Sequence, residues 1–420
     1  MAIKKISVRN FRSFKKLDLE LGNLNIIIGA NASGKSNFLQ ILRFFRDLAL
    51  WGQENAISLQ GGIEYLRNLN IAGGEDTSFE IVLDRNKLYQ LFSISSDGFR
   101  GVEISEISYS FNLRYTDREY GFQVYDECLR YLLLAVDMED RTDKDRWARV
   151  IIRNKGDESK AEFSRSDSFP YTEEQILIYF SYLSFRNLQN GDDKTKLRLL
   201  NPVFSYSPVS WIEVIKNITF FDFDPKLPKK AVSVSGKSDF EEDGSNLAIV
   251  LKSIIDGGEK ERKFLNILGD LLPFVTRVDI EKLSDKTMLM RLQEGYSGNA
   301  SLPASLASDG TLSCTAIVVA LYFTEKPLIV IEEPERNIHP HLIRKVANMI
   351  KEASEQRQII VTTHNPEMIK YAELEDILFV SRNTDGFSNI SRPSEKESVR
   401  TFIENNLNIE ELFTEDLLES

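Results

Sequence analysis

Nine residues, Gly29 to Asn37, read GANASGKSN and fit the pattern G-x-x-x-x-G-K-[ST], with Gly29, Gly34, Lys35 and Ser36 in its fixed positions. Glycines let a backbone wrap so closely that successive N–H groups point at phosphate oxygens. The whole stretch, Gly29, Ala30, Asn31, Ala32, Ser33, Gly34, Lys35, Ser36 and Asn37, is therefore a candidate phosphate cradle. Lys35 offers a point charge to the outer phosphates, Ser36 a hydroxyl to Mg²⁺, and the start of the following helix a positive dipole. The context supports the motif: the apolar run LNIIIG precedes it, and Phe38, Leu42, Phe45 and Leu48 follow at helical spacing. A glycine-rich turn with no ligand is the lesser reading. The chemistry indicated is nucleotide binding.

A second signal is LIVIEEPE, Leu328 to Glu335. Two adjacent carboxylates closing an apolar strand are costly without a cation or partner. After a phosphate loop, Glu332 is placed to hold Mg²⁺ through its hydration shell and Glu333 to polarise an attacking water. Strand side chains alternate, so the two acids face different ways and suit two different tasks. Two solvated surface acids are the plainer alternative. A third signal is IIVTTHNPEMI, where an apolar strand ends at His364, positioned to sense a terminal phosphate. A lone strand-end histidine is more often structural; its position about thirty residues beyond the acid pair favours function. A fourth is SLASDGTLSCTAIVVALYF, in which Ser308-Asp309-Gly310 opens a buried helix. Such a knot either caps its own helix or presents that helix end to an anion on another molecule.

The elements needed to hold these residues are legible. AIKKISVRNF, KKLDLEL, SFEIVLD, VEISEISYSFNLRYT and YGFQVYDE alternate apolar and polar residues, which predicts an antiparallel sheet beside the first helix. KPLIVIEE, HPHLIRKVANMIKEASEQ and RQIIVTTH predict strand, helix and strand, hence a parallel sheet with crossover helices. EDGSNLAIVLKSIID predicts a capped helix from about Ser245, and EEQILIYFSYLSF a short aromatic-bearing segment.

In order, Lys35, Ser308-Asp309-Gly310, Glu333 and His364 follow the motif order of ABC-type ATPases, and the chain resembles their soluble SMC/RecF-like branch. ASDGT stands at the signature turn, PERNIHP at the D-loop, His364 at the switch histidine, and RNFRSF at the opening strand, with Arg12 as a nucleotide-proximal arginine. ITFFDFDP, EDGSNLA and LNIEELF further resemble stand-alone AAA ATPases related to the ATPase part of OLD-family anti-phage nucleases. The resemblance implies an α/β fold: an ABC-type P-loop ATPase head with a mixed sheet, parallel at its core, an antiparallel β subdomain and a largely helical lid insertion. The expected segments are an N-terminal lobe with the Walker A loop (1–130), a lid and partner-docking region (131–300), and a C-terminal lobe with signature, Walker B and switch histidine (301–420). It also implies ATP and Mg²⁺ sandwiched in a head-to-tail homodimer or higher homo-oligomer, with Ser308 and Gly310 acting on the partner's nucleotide. The implied setting is anti-phage defence with a separate effector, a nuclease or toxin; the tail after His364 is too short for an appended nuclease domain. A RecF-type DNA-maintenance ATPase and an ATP-locked scaffold with negligible turnover are the alternatives. Departures are Glu332 where Asp is usual, a Q-loop glutamine for which Gln60 is the candidate, and no long coiled coil.

Composition narrows the rest. Of 420 residues, 42% are hydrophobic and 28% charged, as in globular proteins. No run approaches the length of a membrane span and the start lacks a signal peptide's apolar core. Cys128 and Cys314 are too few for a disulfide framework, which points to a cytoplasmic protein without membrane partners. A net charge of −12 disfavours unspecific binding to nucleic acid. The best local basic patch, Lys226, Lys229 and Lys230, leaves a DNA contact open, though three lysines in a Pro-containing loop are more often simply solvated.

Overall fold

The computed structural model of the chain describes residues 2–71, 75–84, 99–116, 121–137, 142–155, 158–176, 197, 211–233, 239–296, 298, 300–404 and 409–414. The chain forms two compact units. One comprises Met1–Gly22, Ser36–Ile218 and Ser381–Ile390; the other comprises Asn23–Lys35, Thr219–Val380 and Ser391–Ser420. No described helix is long and apolar enough to cross a membrane.

The first unit is built on one antiparallel sheet. Its strands run in the order Phe14–Glu20, Ala2–Phe11, Thr77–Asp84, Phe99–Tyr115, Phe122–Asp137, Thr142–Lys155 and Glu158–Arg165. Period-two patterning sets the register, with Ile6 opposite Leu19 on one side and Ile81 on the other. The helix Lys35–Leu59 buries Phe38, Leu42, Phe44, Phe45 and Leu48. Phe44 lies 5.0 Å from Phe79, which itself stacks on Phe111 at 4.9 Å. Each such ring pair contributes about 0.5–1.5 kcal/mol beyond its area. Gly52, at φ 77°, interrupts the helix.

The second unit holds the parallel strands. Within it the order is Ile377–Arg382, Leu24–Ile28, Gln358–Thr362, Leu328–Glu332 and Ile218–Phe221. The first four of these pair in parallel. Leu24–Ile28 and Gln358–Thr362 are buried at every residue, which explains their continuously apolar text. Helix Asp309–Tyr322 is buried on all sides from Thr311 to Leu321, whereas Pro340–Ser354 buries one stripe, including Leu342, Ile343, Val346 and Ile350. A second sheet joins Val232–Ser233, Thr287–Glu294, Val275–Ser284 and Ser301–Pro303.

The mixed architecture, parallel core and antiparallel subdomain match expectation, but the middle of the chain differs. Among described residues, 131–300 is not a mainly helical insertion. Residues up to Arg165 continue the antiparallel sheet, with Leu129 opposite Ile152 and Tyr131 opposite Val150, so hydrogen bonding ties them to the N-terminal strands. Helices Leu247–Ile255 and Glu259–Leu271 and the second sheet lie in the other unit. The unit boundaries therefore do not fall at 130 and 300. Most of EEQILIYFSYLSF, from residue 177 onward, lies outside the described residues. The helix expected from Ser245 begins at Leu247 with Asn246 at its cap. The Asn246 side chain does not cap the helix, because it accepts from Glu241 N (2.9 Å) and donates to Asp239 O (2.8 Å).

Candidate nucleotide-binding and hydrolysis site

The loop leaving Leu24–Ile28 has little room for side chains. A Cβ on Gly29 would stand 2.2 Å from the Val380 carbonyl oxygen, so only glycine permits that close approach. Gly34 has φ 124° and Ala32 φ 63°, and Ser33 N closes the turn onto Ala30 O at 3.2 Å. Ala30, Asn31 and Ala32 are exposed at the rim, with Ser33 and Gly34 buried beneath. Lys35 Nζ donates to Gly29 O (2.6 Å) and Ala30 O (3.0 Å). Burial pushes its pKa down, with Glu333 acting against that shift. This cradle fits a phosphate: its backbone is tightly curved, it has one half-buried cation, and Ser36 follows directly as an exposed hydroxyl.

Strand Leu328–Glu332 brings the acids to the same unit as the loop. Glu332 ends the strand half-buried. Glu333 leaves it at φ 45°, its N–H donating to Thr362 O at 2.8 Å. The Glu333 carboxylate meets His364 Nδ1 through Oε1 at 2.7 Å and accepts from Arg336 Nη2 through Oε2 at 2.9 Å. Burial pushes the Glu333 pKa up. The Arg336 hydrogen bond and the neighbouring His364 outweigh that effect and leave the pKa below the ordinary glutamate value. Arg336 also donates from Nη1 to Asp222 Oδ1 at 2.7 Å. Glu333, which meets His364, also lies within electrostatic reach of Lys35, far from both in sequence.

Sequence reasoning missed Arg336, Asp222 and Glu335. Arg336 follows Glu333 by three residues, and its N–H bonds Glu333 O at 2.9 Å, so the turn spacing held a clue. Asp222 carries no local signal. Glu335 is 6% exposed; its Oε1 accepts from Thr363 Oγ1 at 2.5 Å and its Oε2 has no partner among the described residues. Burial pushes its pKa up, against the Thr363 hydrogen bond.

The Ser308 knot caps its own helix. Ser308 Oγ accepts from Thr311 N at 3.0 Å, and Lys229 Nζ meets Asp309 at 2.5 Å, so one lysine of the candidate basic patch is paired. Gly310 is required by packing, since a Cβ there would lie 2.7 Å from Asn337 O. The turn carrying Glu333 and Arg336 thereby abuts the start of helix Asp309–Tyr322.

In the first unit, Arg12 Nη2 donates to Gln60 Oε1 (2.8 Å) and Gln60 O (3.2 Å). Asn37 Nδ2 donates to Ser13 Oγ at 2.8 Å, which also accepts from Ser388 Oγ at 2.8 Å. The Asn37 amide thus ties helix to strand turn. Among described residues, positive φ outside glycine occurs at Asn10, Arg12, Ala32, Glu333 and Asn337, all within or beside the motifs. Strain of this kind gathers at functional sites.

Two family models match the segments that hold the motif residues. One, described as "AAA ATPase domain", matches residues 1–94, and the other, "AAA domain, putative AbiEii toxin, Type IV TA system", matches residues 227–370. Both descriptions are of AAA-type ATPase domains, and each match covers less than half of the chain. Endonuclease GajA of Bacillus cereus (strain VD045) is 47% identical over 47 residues, 11% of this chain and 8% of GajA. The replication and repair protein RecF of Desulforudis audaxviator (strain MP104C) is 38% identical over 68 residues, 13% of this chain and 19% of RecF. RecF of Lactococcus lactis subsp. cremoris (strain SK11) is 37% identical over 71 residues, 14% of this chain and 20% of RecF. The matched stretches thus span at most about a fifth of these relatives. An SMC head bound to the C-terminal winged-helix domain of ScpA aligns at a TM-score of 0.48 and 17% identity, covering 93% of this chain and 98% of that one. The SMC head of Thermotoga maritima aligns at 0.42 and 13%, covering 93% and 99%.

Proposed function

We propose that the protein binds and hydrolyses ATP in an ABC-type composite site formed by two copies, and uses the difference between bound and hydrolysed states as a switch. The observation that carries this reading is the meeting of Glu333 with His364 at 2.7 Å in the unit that also holds Lys35. Gly29–Asn37 cradles the phosphates, with Lys35 as point charge and Arg12 near the nucleotide. Ser36 and Glu332 are the oxygen donors suited to Mg²⁺. When bound, the ion neutralises phosphate charge. Glu333 orients water and takes its proton, His364 senses the terminal phosphate, and Ser308 with Gly310 present a helix N-terminus to the partner's nucleotide. Residue contributions of this kind are positioning and electrostatics.

The experiment is single-turnover and steady-state ATP hydrolysis by Glu333→Gln. We expect ATP binding to persist while turnover falls at least about a hundredfold, the usual scale for a lost general base. Wild-type turnover in the variant would remove Glu333 from the role.

The setting we favour is an ATPase or sensor subunit of an anti-phage system, with a separately encoded nuclease or toxin as effector and no membrane partner. The similarity to GajA, an endonuclease, and the toxin-type family description support it. A RecF-like role in DNA maintenance is the second reading, supported by the RecF matches. Salt-dependent binding to duplex DNA would favour that second reading.

A further inference from the structure

Glu333 has both carboxylate oxygens engaged. Oε1 meets His364 Nδ1 at 2.7 Å, while Oε2 accepts from Arg336 Nη2 at 2.9 Å and Nε at 3.2 Å. An ionised carboxylate offers about four lone-pair sites, and these three donors take up most of them and stabilise its charged form, so the group takes a proton from water more readily once one contact opens. Arg336 is the contact with somewhere else to go. Its Nη1 already donates to Asp222 Oδ1 at 2.7 Å, and both side chains are about half exposed, at 46% and 50%. Asp222 directly follows strand Ile218–Phe221, outside the turn that carries Glu333 and Arg336. The guanidinium therefore bridges two carboxylates from different elements. A planar fork with five donors can leave one of them while remaining bound to the other.

We propose that Arg336 is a positioning residue that holds the Glu333 carboxylate in a resting arrangement, with Asp222 as the second carboxylate onto which it withdraws when Glu333 acts. The inference rests on Glu333 being the base. Arg336 itself touches neither nucleotide nor water in this scheme; it acts through Glu333. The backbone turn is independent of the side-chain bridge, since Arg336 N bonds Glu333 O and Ile338 N bonds Glu335 O. Removing the side chain thus leaves the turn's own hydrogen bonds intact.

The test is steady-state ATP hydrolysis by the full chain with Mg²⁺, comparing wild type with Arg336→Ala, Arg336→Lys, Asp222→Asn and Glu333→Gln. ATP binding to each variant serves as the check on folding. Arg336→Ala should turn over roughly two- to five-fold faster, the scale of one exposed ion pair released. Asp222→Asn should be slower than wild type, because among the described residues Arg336 then has only Glu333 as a charged partner. Arg336→Lys, a point charge that cannot fork, should fall between wild type and the alanine variant. KM for ATP should stay put in all three, whereas a merely structural role would move binding and turnover together. An Arg336→Ala protein no faster than wild type, or an Asp222→Asn protein no slower, overturns the proposal. Should Glu333→Gln hydrolyse ATP like wild type, the general-base reading is what has failed; should it be inactive while Arg336→Ala is not faster, only the resting clamp is lost.

Discussion

Glu335 lies two residues beyond Glu333 and serves a different end. It is almost fully buried, it holds Thr363 through one oxygen, and Thr363 Oγ1 in turn accepts from Asn365 N at 2.9 Å. The acid turn and the histidine turn are thereby linked on either side of His364. Burial raises its pKa above the ordinary glutamate value. For a group raised in this way, stability is fully present below the unfolded-state pKa and is lost as pH rises through the folded one. Glu335→Gln keeps the shape and the Thr363 contact without the charge. We expect it to melt above wild type at neutral pH, with the gap closing below about pH 4, where an unfolded glutamate is protonated. Thermal melts at both pH values check this; a gap that widens on acidification refutes it. Neither Glu335 nor Asp222 stands out in the sequence, because a carboxylate between a turn and a strand looks like any solvated acid until its neighbours are known.

Among the elements, helix Asp309–Tyr322 packs its Gly310 against the turn that carries Glu333. Gly310 faces Asn337 O so closely that a methyl group cannot enter without moving backbone. Replacing a helical glycine by alanine normally gains up to about 1 kcal/mol. Overpacking against backbone costs about 1–3 kcal/mol, so the clash wins. Gly310→Ala should therefore lower Tm by several degrees and reduce turnover together, measured by calorimetry and ATP hydrolysis. A variant that is more stable than wild type would show that the turn yields freely. Most elements were legible in advance: the continuously apolar LNIII and QIIVT are buried parallel strands, and the alternating N-terminal runs are antiparallel. Residues 142–165 were not, because charged residues on the solvated face of a sheet hide its period until the partner strands are known.

For the whole molecule, the proposed mechanism requires two copies. Ser308 already satisfies its own helix through Thr311, so its action on a partner's nucleotide concerns a helix end and its dipole. Ser308→Asp preserves an N-cap acceptor, since aspartate caps as well as serine. It also sets a negative charge where phosphate is to be met. We expect turnover per subunit to rise with protein concentration in the wild type and to fall at least about tenfold in Ser308→Asp, an added charge repulsion being worth one to several kcal/mol in a closed site. ATP binding to the single subunit should survive. Concentration-independent turnover, unchanged by Ser308→Asp, would mean that each chain works alone. The sequence by itself determined the glycine-rich loop, the acid pair, the strand-end histidine and the helix capped by Ser308, because each is a short stretch whose chemistry follows from neighbours along the chain. Only the tertiary structure decided that Glu333 is held between His364 and Arg336, that Arg336 reaches Asp222, and that Gly310 rests on Asn337. Those contacts join residues from separate elements, and the packing that brings them within a few ångströms is a property of the folded whole.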